Sequence, residues 1–191
     1  MDAGKKSFLW LVAVFVAPIV LGTLLFFNLE NLGFEKGSVN YGTLIDPAFP
    51  VKGIDLKQGS EPVVYEDTLA KKWTLLYIET TECNEFCLNR LLLMKRIRLL
   101  TNENMRRVRT LFVSNQKILD AVDKEQNKDL VIASIELNNS KFMKQFPDLD
   151  QSPVYLIDPF GNLMMYYPQA DPDAKKMLKD LHRLLKYSHL G

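Results

Sequence analysis

The strongest constraint on this chain is an N-terminal segment, Ser7–Leu29, that contains no charged side chain. Its most apolar part, Phe8–Phe27, would span about 30 Å as a helix, enough to cross the hydrocarbon core of a bilayer. The segment ends in "LLFFNLE", which lacks the small-x-small pattern of a signal-peptide cleavage site. A buried core helix is the alternative, but a chain of 191 residues can hardly surround such a helix. The segment therefore predicts an uncleaved membrane anchor.

The charges that flank this segment predict its orientation. Lys5 and Lys6 precede it, whereas Glu30 and Glu35 follow it. The positive-inside rule then keeps the N-terminus in the cytoplasm and places the rest outside. In a bacterium the rest of the chain enters the periplasm; in a mitochondrion it would enter the intermembrane space. We expect a single-pass protein of the bacterial inner membrane, with its cysteines outside the reducing cytosol.

These features predict four regions along the chain. They are a cytoplasmic N-terminus (1–6), a transmembrane anchor (7–29), a tether and entry segment (30–45) and an extracytoplasmic domain (46–191). The composition, 47% hydrophobic and 25% charged, allows one globular domain. A formal net charge of +1 gives no support for nucleic-acid binding.

Within the domain, apolar runs of strand length alternate with segments of helical character. The predicted strands are 73–79, 107–114, 130–137, 153–158 and 162–167, and the predicted helices are 85–100, 116–126, 140–146 and a C-terminal helix from about 171. Alternation of this kind predicts an α/β fold with a mostly parallel sheet covered on both faces. The "PFG" turn between the last two strands predicts an antiparallel hairpin at the edge.

The only two cysteines, Cys83 and Cys87, fall between the first buried strand and the following helix. The N–H groups and the dipole at a helix N-terminus stabilise a thiolate, which is the nucleophile and the metal ligand. Cys83 is expected at the exposed lip, with Cys87 about one turn inside. The pair could close a disulfide, clamp a soft metal ion or be ordinary core residues. A purely stabilising disulfide explains little, because closing about five residues removes only about 2 kcal/mol of unfolded-state entropy.

A strand, a cysteine pair opening a helix and a late Pro-strand-Gly hairpin together resemble the thioredoxin fold from about Tyr41 onwards. The anchor, the C-x-x-x-C spacing and "NYGTLIDP" followed by "WTLLYIETTEC" resemble the Sco/SenC family more specifically. Proteins of that family are membrane-anchored and help assemble the copper centre of cytochrome c oxidase. The resemblance implies a thioredoxin-like fold, a central mixed sheet flanked by helices. It also implies Cys83 as the attacking thiol, Cys87 as the resolving thiol, and both as candidate Cu(I) ligands.

Several positions depart from the Sco pattern. Asn84 and Leu88 stand where Sco proteins have proline after each cysteine, and the segment 146–162 lacks the Sco histidine. Ser152 and Pro153 instead resemble the cis-proline position of thioredoxin, where a client segment docks. An ordinary trans turn at Ser152–Pro153 is equally compatible with the sequence.

Other polar groups receive structural interpretations. The two histidines, His182 and His189, fall on the last helix and are expected to be exposed surface residues. A run of basic residues is expected to form a solvated face, with an acidic partner as the alternative. It comprises Arg90, Lys95, Arg96, Arg98, Arg106, Arg107 and Arg109. The sequence has no Gly-rich phosphate loop and no nucleophile elbow.

The sequence thus predicts a membrane-anchored thiol-disulfide oxidoreductase with Cys83, Cys87 and Pro153 at its site. Exchange needs only two thiols and a docking surface, whereas two cysteines without histidine hold Cu(I) weakly. No cofactor is expected to be required, and Cu(I) is the candidate metal. The expected partner is a protein client with a thiol or disulfide, such as an oxidase subunit or a copper chaperone. The alternatives are a Cu(I) chaperone using the same pair and a non-catalytic assembly scaffold.

Overall fold

The computed structural model describes residues 3–28, 39–51, 56–58, 61–62, 71–119, 130–136, 140–168, 170–188 and 190. The chain forms two compact units, Met1–Val39 and Asn40–Gly191. The predicted boundaries at residues 6, 29 and 45 stay predictions; the first strand of the second unit already begins at Thr43.

The first unit contains helix α1, Ala3–Asn28. Its side chains from Gly4 to Asn28 are exposed, and this stretch is long and apolar enough to cross a membrane. Pro18 lies inside the helix, as is tolerated in membrane helices. The apolar segment therefore forms one candidate membrane span.

The second unit contains a mixed sheet, whose described strands follow the order β1-β8-β7-β4-β5-β6-β2-β3. The strands are β1 (Thr43–Pro50), β2 (Lys57–Gln58), β3 (Glu61–Pro62), β4 (Trp73–Ile78), β5 (Val108–Ser114), β6 (Leu130–Ser134), β7 (Val154–Ile157) and β8 (Asn162–Tyr167). The helices are α2 (Glu85–Leu100), α3 (Gln116–Leu119), α4 (Ser140–Met143) and α5 (Ala174–Tyr187). Short 3₁₀ turns occupy Asn102–Arg107 and Leu149–Gln151.

The expectation of a mostly parallel sheet with the hairpin at its edge is wrong. Among the described strands only β4–β5 and β5–β6 pair in parallel. The β7–β8 hairpin inserts beside β4, where β7 runs antiparallel, and β1 closes that side against β8. Alternation of strands and helices shows that crossovers exist, but it does not specify which strand becomes the neighbour of which.

Two apolar layers cover the two faces of the sheet. Side chains of α2 and α5 such as Met94 and Leu181 form one cluster with Leu75 and Tyr77 of β4. Phe142 of α4 belongs to the other cluster, together with Leu76. Successive β4 residues thus point to opposite faces, and all six are buried. This double coverage explains why β4 is a continuous apolar run in the sequence.

The start of the second unit is fastened to α5. The backbone N–H groups of Tyr41 and Gly42 donate to Oδ2 of Asp180 at 2.9 and 3.0 Å. A Cβ atom at Gly42 would lie 2.5 Å from Sδ of Met165, so only glycine allows this close approach. The entry segment therefore reaches its place through contacts with residues far along the chain.

The remaining predicted elements are present where the structure describes them, although several are shorter than predicted. The structure gives α2 the predicted bounds, Glu85–Leu100. The predicted helix 116–126 is represented by α3, and residues 120–126 lie outside the described residues. The predicted strand 130–137 ends as β6 at Ser134, and residue 137 also lies outside them.

Candidate functional site

The cysteine pair lies at the N-terminus of α2, as predicted. Asn84 caps the helix: its Oδ1 accepts from the backbone N–H groups of Phe86 at 3.0 Å and Cys87 at 3.3 Å. Because Asn84 is a strong N-cap, the helix begins at Glu85 without the proline that Sco proteins place there. The cap occupies two backbone N–H groups that could otherwise donate to a thiolate. The helix dipole therefore stabilises a thiolate here more than hydrogen bonds from these N–H groups do.

Cys83 and Cys87 form a disulfide, with their Cα atoms 5.0 Å apart. Cys83 is half-buried, whereas Cys87 is 0% exposed and belongs to the core cluster beneath α2. The structure thus places Cys83 nearer the solvent, in the order expected from the sequence. An incoming sulfur can reach Cys83 more readily than Cys87, because attack requires access to the sulfur.

A buried carboxylate lies between β4 and the cysteine loop. Glu79 is 4% exposed, and its Oε1 accepts from the backbone N–H and the hydroxyl of Thr81 at 2.9 and 2.8 Å. Its Oε2 accepts from the Tyr77 hydroxyl at 2.6 Å. The Glu79 backbone is also held, because Ser114 Oγ donates to its carbonyl at 2.7 Å. The carboxylate therefore orders the turn that leads from β4 into Cys83.

Tyr77 connects this carboxylate to the late loop. Its side chain is fully buried, and burial together with the hydrogen bond to Glu79 raises the pKa of Tyr77 well above its usual value. The Tyr77 hydroxyl also interacts with the side chain of Ser152. Sequence analysis assigned no role to Tyr77 or Glu79. The sequence feature that could have indicated them is Glu79 itself, a charged residue directly after an otherwise apolar strand.

Pro153 lies at the same edge of the sheet as the cysteines. Tyr77 pairs with Val154 across β4 and β7, so Pro153 is adjacent to the end of β4 that leads into the cysteine loop. Pro153 is buried, and Ser152 before it has the left-handed backbone conformation, φ 51°. The Ser152–Pro153 peptide is trans; within the described residues only Asp46–Pro47 is cis. The position of Pro153 matches the thioredoxin pattern, but its peptide bond is trans where that pattern has a cis bond. A docking role for Pro153 stays a prediction.

The expectation that the whole basic run is solvated is wrong for Arg90. Its side chain is 3% exposed, and its guanidinium lies 4.7 Å from the centre of the Phe86 ring. Burial lowers the pKa of Arg90. Arg90 follows Cys87 by three positions and precedes Met94 by four, which places it on the buried face of α2. The spacing of these residues was the signal that could have found it.

Arg90 and Phe86 border a hollow of about 380 Å³ between α2 and the segment before α5. Asn89 and Leu93 of α2 line it from one side, and Asp171 lines it from the other. Phe86, which lies between the two cysteines in sequence, is the lining residue nearest to them in the chain. The N-terminal ends of α2 and α5 therefore lie near each other.

Metal ligands are scarce at this site. Across the part of the chain that the structure describes, no group of three His, Cys, Asp or Glu side chains could hold a metal ion. His182 is exposed on α5, as expected, and His189 lies outside the described residues. The candidate ligands for a soft metal ion at this site are the two sulfurs of the reduced pair.

Comparisons with known proteins agree with this architecture. The family model described as "Transmembrane-like, thioredoxin-like, C-terminal domain" matches residues 73–188. A comparison with curated proteins gives no match.

Solved structures with the same fold include two Sco proteins and a thioredoxin-like protein. Yeast Sco1 with copper bound is 18% identical with a TM-score of 0.54, covering 80% of this chain and 96% of that one. Arabidopsis thaliana ScoI with copper bound is 18% identical with a TM-score of 0.52, covering 68% and 93%. An uncharacterized thioredoxin-like protein from Porphyromonas gingivalis is 15% identical with a TM-score of 0.58, covering 73% and 94%. The predicted thioredoxin-like fold and its similarity to Sco structures are confirmed.

Proposed function

We propose that this chain, which belongs to the transmembrane-like, thioredoxin-like C-terminal domain family, exchanges disulfides with a protein client while anchored in a membrane. The observation that carries the proposal is the Cys83–Cys87 disulfide at the N-terminus of α2, with one sulfur half-buried and the other fully buried. Helix α1 supplies the anchor, and the domain faces the periplasm of a bacterial inner membrane. The proposed client belongs to cytochrome c oxidase assembly, because BsSco, a solved structure with this fold, is described as a member of the Sco family of cytochrome c oxidase assembly proteins.

The exchange has two steps. A client thiolate attacks Sγ of Cys83, the Cys83–Cys87 bond breaks, and the sulfur of Cys87 leaves with the electron pair and takes up a proton. A second client thiolate then attacks the client sulfur of the mixed disulfide and releases Cys83. The client dithiol is thereby oxidised and the cysteine pair reduced by two electrons. The same steps in reverse reduce a client disulfide, and the relative reduction potentials set the direction.

The surface around the disulfide is suited to a protein client. Phe86, Leu88 and Leu92 of α2 are exposed apolar side chains close to the cysteines. Apolar groups of this kind at a site rim support transient protein contacts. The sulfur of Cys87 is buried behind this surface, so the client sulfur bonds to Cys83 and not to Cys87.

A trapping experiment with the full-length protein tests the proposal. Cys87→Ser should accumulate a mixed disulfide with the client through Cys83, because the resolving thiol is missing. Cys83→Ser is the matched control and should trap nothing, since Cys87 is fully buried. In the reduced wild-type protein, alkylation should label Cys83 first. Equal trapping by both variants, or faster labelling of Cys87, would contradict the assigned roles.

Cu(I) delivery is the second candidate function, and the copper-bound Sco structures with this fold favour it. Thiolate pairs suit Cu(I), whereas Cu(II) prefers nitrogen and oxygen ligands. Anaerobic titration of the reduced protein should therefore give one Cu(I) bound through Cys83 and Cys87, and His182→Ala should leave the affinity unchanged. Two Cu(II) ions should instead take two electrons from the pair and leave a disulfide. A stable Cu(II)-thiolate absorption band would place copper delivery ahead of disulfide exchange.

A further inference from the structure

Helix α5 carries a stripe of basic side chains that the redox site does not use. Lys175, Lys179, His182 and Lys186 are spaced by four, three and four residues, and all four are exposed. This spacing places them on one face of the helix. The chain as a whole has a net charge of only +1, so the stripe is a local concentration of positive charge.

Neighbouring groups extend this surface at the C-terminal end of α5. Arg183 and Asn104 line a hollow of about 570 Å³ together with Lys179, His182 and Lys186. Tyr187 also lines it and is 75% exposed. Exposed tyrosine beside lysine is typical of side chains at the headgroup level of a membrane. We call these residues, with Lys175, the basic face of α5.

On α5 and the residues just before it, the exposed carboxylates lie at the N-terminal end. Asp173 caps α5 and accepts from the backbone N–H of Lys175 at 2.8 Å, and Asp171 precedes it. Asp180, the carboxylate within the helix, is buried and binds the entry segment. Within α5 itself, the exposed side chains of the C-terminal half thus include Lys179 and Lys186 but no carboxylate.

The entry segment contacts this same helix. Asn40 accepts from Arg183 at 3.3 Å, Tyr41 and Gly42 donate to Asp180, and Lys176 lies over the Tyr41 ring at 5.1 Å. In the sequence, eleven residues, 29–39, separate Asn28 from Asn40. The sequence thus leaves a short connection between the predicted anchor and the residues that contact α5.

We propose that the basic face of α5 binds the anionic phospholipid headgroups of the membrane in which α1 is anchored. The inference rests on the proposed membrane anchoring. Juxtamembrane clusters of Lys and Arg bind anionic leaflets by this attraction, which falls off within a Debye length. The N-terminal ends of α2 and α5 lie together, so binding through the C-terminal half of α5 leaves the cysteine pair at the far end of the helix pair, open to a client.

Residue-resolved lysine acylation of the full-length protein in nanodiscs tests this inference. In discs that contain phosphatidylglycerol, labelling of Lys179 and Lys186 should fall at least about threefold relative to discs of phosphatidylcholine alone. Salt at about 0.5 M should restore the labelling, because it screens the attraction. Lys141 and Lys144, on and next to α4, are exposed internal controls and should label equally in both lipids.

Matched variants sharpen the result. In Lys179→Gln, the lipid-dependent protection of Lys186 should decrease, whereas Lys141→Gln/Lys144→Gln should retain it. Equal labelling in both lipids by a protein that enters the discs overturns the headgroup proposal and leaves anchoring intact. Protection that requires an added acidic protein instead of the lipid also overturns it. Failure of the chain to enter the discs overturns anchoring and docking together.

Discussion

Glu79 and Asp180 are both buried carboxylates, 4% and 2% exposed, but the groups that they bind come from different distances along the chain. Glu79 accepts from Tyr77 and Thr81, each two residues away. Asp180 accepts from Tyr41 and Gly42, more than 130 residues away. The same chemical group thus orders a local turn at the redox site in one place and closes the fold in the other. We expect the site to change without unfolding the domain, whereas the entry segment should not detach so readily.

The largest effect should follow loss of the distant carboxylate. Asp180→Ala leaves the buried N–H groups of Tyr41 and Gly42 without their acceptor, which costs about 3 kcal/mol of unfolding free energy. Urea denaturation of the detergent-solubilised protein measures it. Lys179→Ala, at the neighbouring exposed position, is the control and should change stability by less than about 0.5 kcal/mol. A loss below about 1 kcal/mol for Asp180→Ala would remove the proposed difference between the two carboxylates.

Reduction of the Cys83–Cys87 bond should have the second-largest effect. A loop of about five residues contributes only about 2 kcal/mol, so the reduced domain should remain folded. Cys83→Ser, at the half-buried position, also removes the disulfide and should match the reduced wild type within about 0.5 kcal/mol, as measured by the same denaturation. Unfolding on reduction would mean that the redox site is not separable from the fold.

Glu79→Gln should lower the free energy of unfolding by a smaller amount, about 1–2 kcal/mol. The amide oxygen can still accept from Thr81, whereas the charge-assisted hydrogen bond from Tyr77 is weakened. Denaturation should show this loss in both redox states. The packing of Tyr41 against α5 should not change, and native-state hydrogen exchange at Gly42 reports on it. Faster exchange at Gly42 would couple the two carboxylates.

The smallest expected effect is a difference in stability between the wild type and Tyr77→Phe at alkaline pH. Burial, reinforced by the hydrogen bond to Glu79, raises the pKa of Tyr77 above its ordinary value of 10.0. Above pH 10 the unfolded chain loses the tyrosine proton while the folded chain keeps it, so stability falls as the pH rises. Tyr77→Phe has no tyrosine proton to lose at this position. Between neutral pH and pH 10.5 its unfolding free energy should therefore fall by about 0.8 kcal/mol less than that of the wild type. Parallel declines for wild type and Tyr77→Phe would show that Tyr77 ionises in both states.

Much of this structure could be predicted from the sequence because it depends on local patterns. The buried strands β4 and β5, the bounds of α2 and the position of the cysteines follow from apolar runs and a strong N-cap. The thioredoxin-like class followed from the order of these elements.

The remaining features depend on residues that meet only in three dimensions. The hairpin β7–β8 lies beside β4 because of strand pairing that periodicity does not encode. The interaction of Tyr77 with Ser152 joins β4 to the loop before β7, which is far away in sequence. The trans state of Ser152–Pro153 depends on the backbone of the surrounding loop. Arg90 was an intermediate case, since its helical spacing indicated the buried face while its charge suggested solvent.

The cap formed by Asn84 has a kinetic consequence for disulfide exchange. Asn84 holds the segment between the two sulfurs through bonds to Phe86 and Cys87 that do not involve either sulfur. Because this cap does not depend on the disulfide, we expect the backbone to rearrange little when the proposed exchange opens the bond, with the change confined to the side-chain torsions of the two cysteines. The reorganisation barrier of the cycle should therefore be small. The turnover rate should then be limited by the approach of the client sulfur.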